Sequence, residues 1–189
     1  MATQDSRIKI KRSTVTATVP TVPSSNDHTD GTWIATDIYK GELFFNQADG
    51  VLWSRDDNGV NCLGGSVALT IASADVLTLN TTPITLVGAV SGYAIEVVSA
   101  SVKVDFNTTA YTTNTGMLLI TDTATSQQAN ADIGATVAQI GKFRTTEVGS
   151  PSLTQLIENK ALTVTIDSGN PTAGDSDITV YVNYRLIPA

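Results

Sequence analysis

Ile178-Thr179-Val180-Tyr181-Val182-Asn183-Tyr184-Arg185-Leu186 alternates without a break, with Ile178, Val180, Val182, Tyr184 and Leu186 in one phase. Period-two alternation puts one face of a strand in a core and the other in water. Val98-Ser99-Ala100-Ser101-Val102-Lys103-Val104-Asp105-Phe106 repeats it, with every even position apolar, and Leu162-Thr163-Val164-Thr165-Ile166 does so again. A half-solvated face suits antiparallel sheets, whereas a buried parallel sheet would read as continuous apolar runs. Weaker strands are expected at 76–79, 84–90 and 117–121. Residues 136–143 and 153–158 suit either a strand or a helical turn. Several short strands with polar turns between them predict an antiparallel β-sandwich of jelly-roll type over residues 66–189. Ala100, Val102, Val104, Val164, Val180 and Val182 are expected in its core.

Composition agrees with an all-β protein. The 189 residues include 29 Thr, and only 15% are charged, against about 25% in ordinary soluble proteins. Thr is β-branched and tolerates a half-exposed pleat. Long helical bundles are excluded because Glu, Lys, Arg and Gln are scarce.

The first 65 residues read differently. Residues 1–25 are expected to form an extended basic arm, in which Arg7-Ile8-Lys9-Ile10-Lys11-Arg12 alternates cations with isoleucines and Pro20 and Pro23 stiffen a linker. Four cations against Asp5 give residues 1–12 a charge of +3, so the remainder carries −10 of the net −7. Residues 26–65 are expected to form a small β-hairpin unit. Its two apolar runs, Gly41–Asn46 and Val51–Arg55, flank Gln47-Ala48-Asp49-Gly50, and Asp-Gly between apolar runs is a hairpin signal. The hairpin is too small to cover Leu43, Phe45, Leu52 and Trp53, so these are expected at a trimer interface. Gly64-Gly65 is expected as a hinge.

Catalytic chemistry finds little support. The single histidine, His28, sits in a polar loop, and the single cysteine, Cys62, has no basic neighbour and no partner for an intrachain disulfide. No phosphate loop or dinucleotide fingerprint occurs. The oxygen-rich turns at 56–58 and 167–177 are the candidates for calcium, but neither has EF-hand spacing. The expectations are no enzyme activity, no catalytic residues, no cofactor and no metal. The acidic balance argues against nucleic acid as a partner. The lack of 18 consecutive apolar residues and of a signal-like N-terminus argues against a membrane.

Arg7-Ile8-Lys9-Ile10-Lys11-Arg12-Ser13-Thr14, a Val-Pro linker, and then Gly41-Glu42-Leu43-Phe44-Phe45-Asn46-Gln47-Ala48-Asp49-Gly50-Val51-Leu52-Trp53 resemble the opening of tailed-bacteriophage virion proteins. In their fibre and decoration members a similar run is the attachment end. Ser99-Ala100-Ser101-Val102, Leu118-Leu119-Ile120-Thr121-Asp122 and Gly174-Asp175-Ser176-Asp177-Ile178-Thr179-Val180-Tyr181-Val182 resemble the β-sandwich heads of phages of Bacteroides-type hosts, nearest to head fibre proteins of crAss-like phages. The resemblance implies a non-enzymatic homotrimeric head fibre or capsid decoration, made in the host cytoplasm and carried on the virion. Its partners would be further copies of itself and capsid or other virion proteins. Arg7, Ile8, Lys9, Ile10, Lys11 and Arg12 would anchor it, the isoleucines in an apolar groove and the cations on its acidic rim. The alternative is a tail-associated receptor- or carbohydrate-binding protein whose sandwich meets a host surface glycan.

Overall fold

The computed structural model describes residues 10–25, 31–121, 127–142 and 156–189. The chain is nearly all β and divides into two units, Met1–Leu63 and Gly64–Ala189.

In the first unit, β1 (Lys11–Ser13) runs parallel to β2 (Leu43–Asn46), and β2 pairs antiparallel with β3 (Val51–Arg55). The expected hairpin turns through residues 47–50, where Gly50 supplies a φ of 67°. Phe44 lies opposite Trp53 and Asn46 opposite Val51. All four are buried and share one face. Buried Asn46 donates through Nδ2 to the carbonyls of Val15 (3.1 Å) and Thr18 (3.2 Å), while Asp49 accepts from Ala17 N at 2.6 Å. Thr21 bridges Asp37, and Pro20 and Pro23 are buried. The described part of the expected arm is therefore built into the hairpin's own unit, and its regular strand is only three residues long. Main-chain groups that a free arm would leave to water are answered here by side chains of the hairpin.

Strand β4 (Val60–Ile71) begins in the first unit and continues into the second. Gly64 and Gly65 lie inside it, so the expected hinge is continuous strand. The reason is packing: a Cβ at Gly65 would sit 2.6 Å from the Cζ of Tyr184, and only glycine leaves room for that ring.

The second unit has two sheets in a sandwich-like arrangement. One is ordered β4, β11 (Asp177–Pro188), β6 (Tyr93–Asp105), β9 (Gln139–Lys142). The other is ordered β5 (Ile84–Val87), β10 (Leu162–Ile166), β7 (Gly116–Ile120), β8 (Gln127–Asp132). The pairs among these strands are antiparallel. Ile178, Val180, Val182, Tyr184 and Leu186 are all buried, as their phase requires. Val102, Val104, Val164, Leu162 and Ile166 join them, each contributing roughly 1.5–3 kcal/mol by leaving water.

Two expectations are corrected. Val98 is 59% exposed and Ala100 only half-buried, although both belong to the apolar phase of β6. The register shifts here: Asn183 faces Ser99, but Tyr184 faces Val97, so Val98 is the extra residue of a bulge. On the N-terminal side of that bulge the odd positions Ile95 and Val97 turn inward instead. Residues 76–79 are not a strand: α1 (Ser73–Val76) is one helical turn, and Val76 and Leu79, three apart, are both fully buried. Strand β8, Gln127–Asp132, is announced only by two small apolar residues in phase, Ala129 and Ala131.

Candidate attachment surface

The first unit holds most of the large apolar side chains left in water. Among the described residues eleven are exposed, and seven of them belong to this unit: Ile10, Val15, Val22, Trp33, Ile34, Leu43 and Leu63. A solvated apolar residue is ordinary when single, whereas seven on one small unit make it the candidate for an interaction surface. Trp33 is 49% exposed and its neighbour Ile34 58%. Neither was singled out from the sequence, because Trp33-Ile34 belongs to no period-two run.

Lys11 ties β1 to the segment that carries Trp33. Its Nζ donates to the carbonyl of Asp37 at 2.5 Å, stands 3.5 Å from the Glu42 carboxylate, and lies 5.5 Å and 5.7 Å from the ring centroids of Trp33 and Tyr39. The next carbonyl, that of Ile38, accepts from Arg55 Nη1 at 2.9 Å. Cations from β1 and β3 thus hold two consecutive carbonyls of the segment leading into β2. The buried Asp37 carboxylate completes the knot, accepting from Thr21 Oγ1 (2.6 Å) and Ile34 N (2.9 Å). Its pKa lies below the ordinary carboxylate range, first through the Thr21 hydroxyl, then the Ile34 N–H, with Lys11 and Arg55 adding to the effect.

The expected anchor residues are not one group. Arg7, Ile8 and Lys9 lie outside the described residues. Ile10 is 44% exposed and Arg12 is exposed, so both face water. Lys11 is instead engaged within its own unit. The four expected interface residues also separate. Leu43, Phe45 and Leu52 share the more open face of the hairpin. Trp53 is on the opposite face and 1% exposed, so its expected place at a surface is corrected. Strand alternation explains this, since Trp53 is in phase with Val51 and Leu52 is not. Phe44, not singled out beforehand, is its buried partner.

The acidic turns serve the backbone. Asp175 accepts from Thr108 Oγ1 and from the main-chain N–H groups of Thr109 (2.8 Å) and Thr108 (3.1 Å). The Thr108 hydroxyl is the largest cause of its lowered pKa. Asp177 accepts from Ser73 N at 3.0 Å, and Asp56 from Asn58 N at 2.7 Å. Among the described residues no three His, Cys, Asp or Glu come together as a metal site would require. His28 lies outside the described residues, and Cys62 is half-buried in β4. No described helix is long and apolar enough to cross a membrane.

Among solved structures, the chain is similar to one from the cyanophage Pam1 capsid asymmetric unit. The two are 14% identical over 65% of this chain and 82% of that one, with a TM-score of 0.33. No protein-family model matches the sequence, and no curated protein does.

Proposed function

We propose that this chain is a non-enzymatic structural protein of a tailed-phage virion, a homotrimeric head fibre or capsid decoration held to the particle by its N-terminal unit. The observation that carries the reading is the number of exposed apolar side chains on Met1–Leu63, Trp33 and Ile34 among them. The resemblance of residues 7–14 and 41–53 to virion attachment ends gives that surface its partner. Ile10 and Arg12 are exposed on the same unit, and the sequence carries two further cations at residues 7–9.

The division of labour follows from the chemistry of interfaces. Desolvated aromatic and aliphatic anchors set the dissociation rate, whereas rim charges mainly set association rate and salt sensitivity. Leu43, Phe45 and Leu52 supply a second apolar strip, which we assign to contact between copies in the trimer. Three linked attachment units raise avidity by roughly 10²–10⁴ over one. The sandwich is the module presented by the attached unit.

The test uses the full chain with Trp33→Ser and Ile34→Ser, supplied to infections lacking the parent chain. Gradient-purified particles should lose it, while light scattering of the free variant still reports a trimer. Undiminished occupancy on the particles rejects attachment through this surface, and a stable monomer of the parent chain rejects the trimer.

A further inference from the structure

Asn58-Gly59 is the one Asn-Gly pair in the chain, and it lies in the turn between β3 and β4. Asp56 N closes this turn by donating to the Gly59 carbonyl at 3.0 Å. The Asp56 carboxylate holds it from the side, Oδ1 accepting from Asn58 N (2.7 Å) and Gly59 N (3.1 Å). Gly59 has a φ of +131°, a backbone conformation that favours glycine. The turn therefore sets beside Asn58 the one residue type whose N–H is not crowded by a Cβ. Asn58 is exposed, and among the described residues its side-chain amide makes no hydrogen bond. Most other asparagine amides are tied down: Asn46, Asn80, Asn107, Asn114, Asn159 and Asn183 each donate through Nδ2.

We propose that Asn58 is a site of spontaneous covalent modification, at which the folded chain loses ammonia to become aspartate and isoaspartate. The Gly59 nitrogen, having given its proton to hydroxide, attacks Cγ of Asn58. The new N–Cγ bond closes a succinimide ring. The side-chain nitrogen leaves as ammonia, taking a proton from water and restoring the hydroxide. Water then opens the ring at either carbonyl. Breaking the N–Cγ bond gives aspartate with the original main chain. Breaking the bond from that nitrogen to the Asn58 main-chain carbon gives isoaspartate, with the chain rerouted through Cβ. Nothing is oxidised or reduced, and water is the only reactant consumed. The local structure favours this place over the others. The Gly59 N–H is bonded to an exposed carboxylate and lies outside both strands, so freeing it breaks no ladder pair. Asn170 precedes Pro171, which has no N–H to attack with. Asn61 and Asn80 precede Cys62 and Thr81, whose side chains crowd the attacking nitrogen. The product sets a further carboxylate beside Asp56 and Asp57, where Lys40 is already paired with Asp57.

Incubation of the folded full chain in mildly alkaline buffer, followed by mass spectrometry of the tryptic peptide Asp56–Lys103, tests the proposal. With time the peptide should gain the mass of one amide converted to an acid, and fragmentation should place the change at Asn58. Asn61 and Asn80 lie in the same peptide and should convert several-fold more slowly, which makes them internal controls. Native isoelectric focusing should show a matching acidic band that grows with time. In Asn58→Gln that band should be lost, because ring closure through the longer side chain is slow. A peptide that stays unchanged overturns the proposal, as does conversion at Asn61 or Asn80 as fast as at Asn58. Conversion that occurs only after denaturation also overturns it, because the folded turn would then protect the amide. No particle is present in this assay, so its failure is distinct from failure of the attachment reading.

Discussion

The Lys11 ammonium donates to the main-chain carbonyl of Asp37, 26 residues further along the chain, with the rings of Trp33 and Tyr39 within 6 Å of it. A cation in the most basic segment of the sequence is therefore a fastening of its own fold. This divides the described part of the basic run in two: Lys11 is engaged with Asp37, Trp33 and Tyr39, while Arg12 is exposed.

Lys11→Ala should destabilise the first unit by about 1–3 kcal/mol, through loss of a charge-assisted hydrogen bond and the cation–π contacts. Both tryptophans of the chain, Trp33 and Trp53, lie in this unit. Tryptophan fluorescence during thermal unfolding therefore reports its melting directly. An Arg12→Ala melt should overlay that of the parent chain.

The register of β11 is checked by two adjacent substitutions. Val180→Asp places a carboxylate at a position that is fully buried and should prevent the sandwich from folding. Tyr181→Asp, one residue on and facing water, should cost no more than about 1 kcal/mol. Far-UV circular dichroism of the two variants separates them; equal damage contradicts the register.

Gly174 and Tyr111 form a tight contact beneath the loop at 167–177. A Cβ at position 174 would lie 2.2 Å from the ring, and the glycine has a φ of +125°. The Tyr111 hydroxyl donates to the Ser176 carbonyl, and burial raises its pKa. Tyr111→Phe leaves that carbonyl unpaired and should cost about 1–3 kcal/mol. Gly174→Ala should cost more, because it adds backbone strain to a clash with a buried ring. Denaturant titration should rank them in that order.

Asp175 makes stability depend on pH with a definite sign. Its folded pKa lies below the ordinary 3.8, so its contribution is fully present above that value. The contribution is lost as pH falls through the lower folded value. In Asp175→Asn the group no longer titrates, so thermal midpoints should fall less steeply than the parent's as pH drops below 3.8. Parallel curves for the two chains would show that Asp175 does not couple to folding.

The sandwich was legible wherever an apolar phase continued unbroken, as on β11, where five alternate positions are buried as expected. Legibility ended where a strand changed phase. The bulge at Val98 leaves the letters of β6 alternating while the side chains change faces. Strand β8 is hard to read because the alternation in Gln127–Asp132 rests on two alanines alone, Ala129 and Ala131. At the candidate surface the signal was charge, which pointed to the basic segment but not to Lys11's partners. Those partners, Asp37, Trp33 and Tyr39, come from residues 20 or more positions away, and no local spacing encodes them. Trp53 departs from its expected place because adjacent strand residues, Leu52 and Trp53, point to opposite faces.

The central claim, attachment to a virion through the N-terminal unit, is tested most directly by a cryo-EM map of the intact particle produced with this chain. The account predicts threefold density on the capsid surface. In it, Trp33 and Ile34 would be buried against another virion protein and the sandwich would stand clear of the shell. A particle without this chain, or one that holds it with Trp33 and Ile34 facing solvent, would contradict the account.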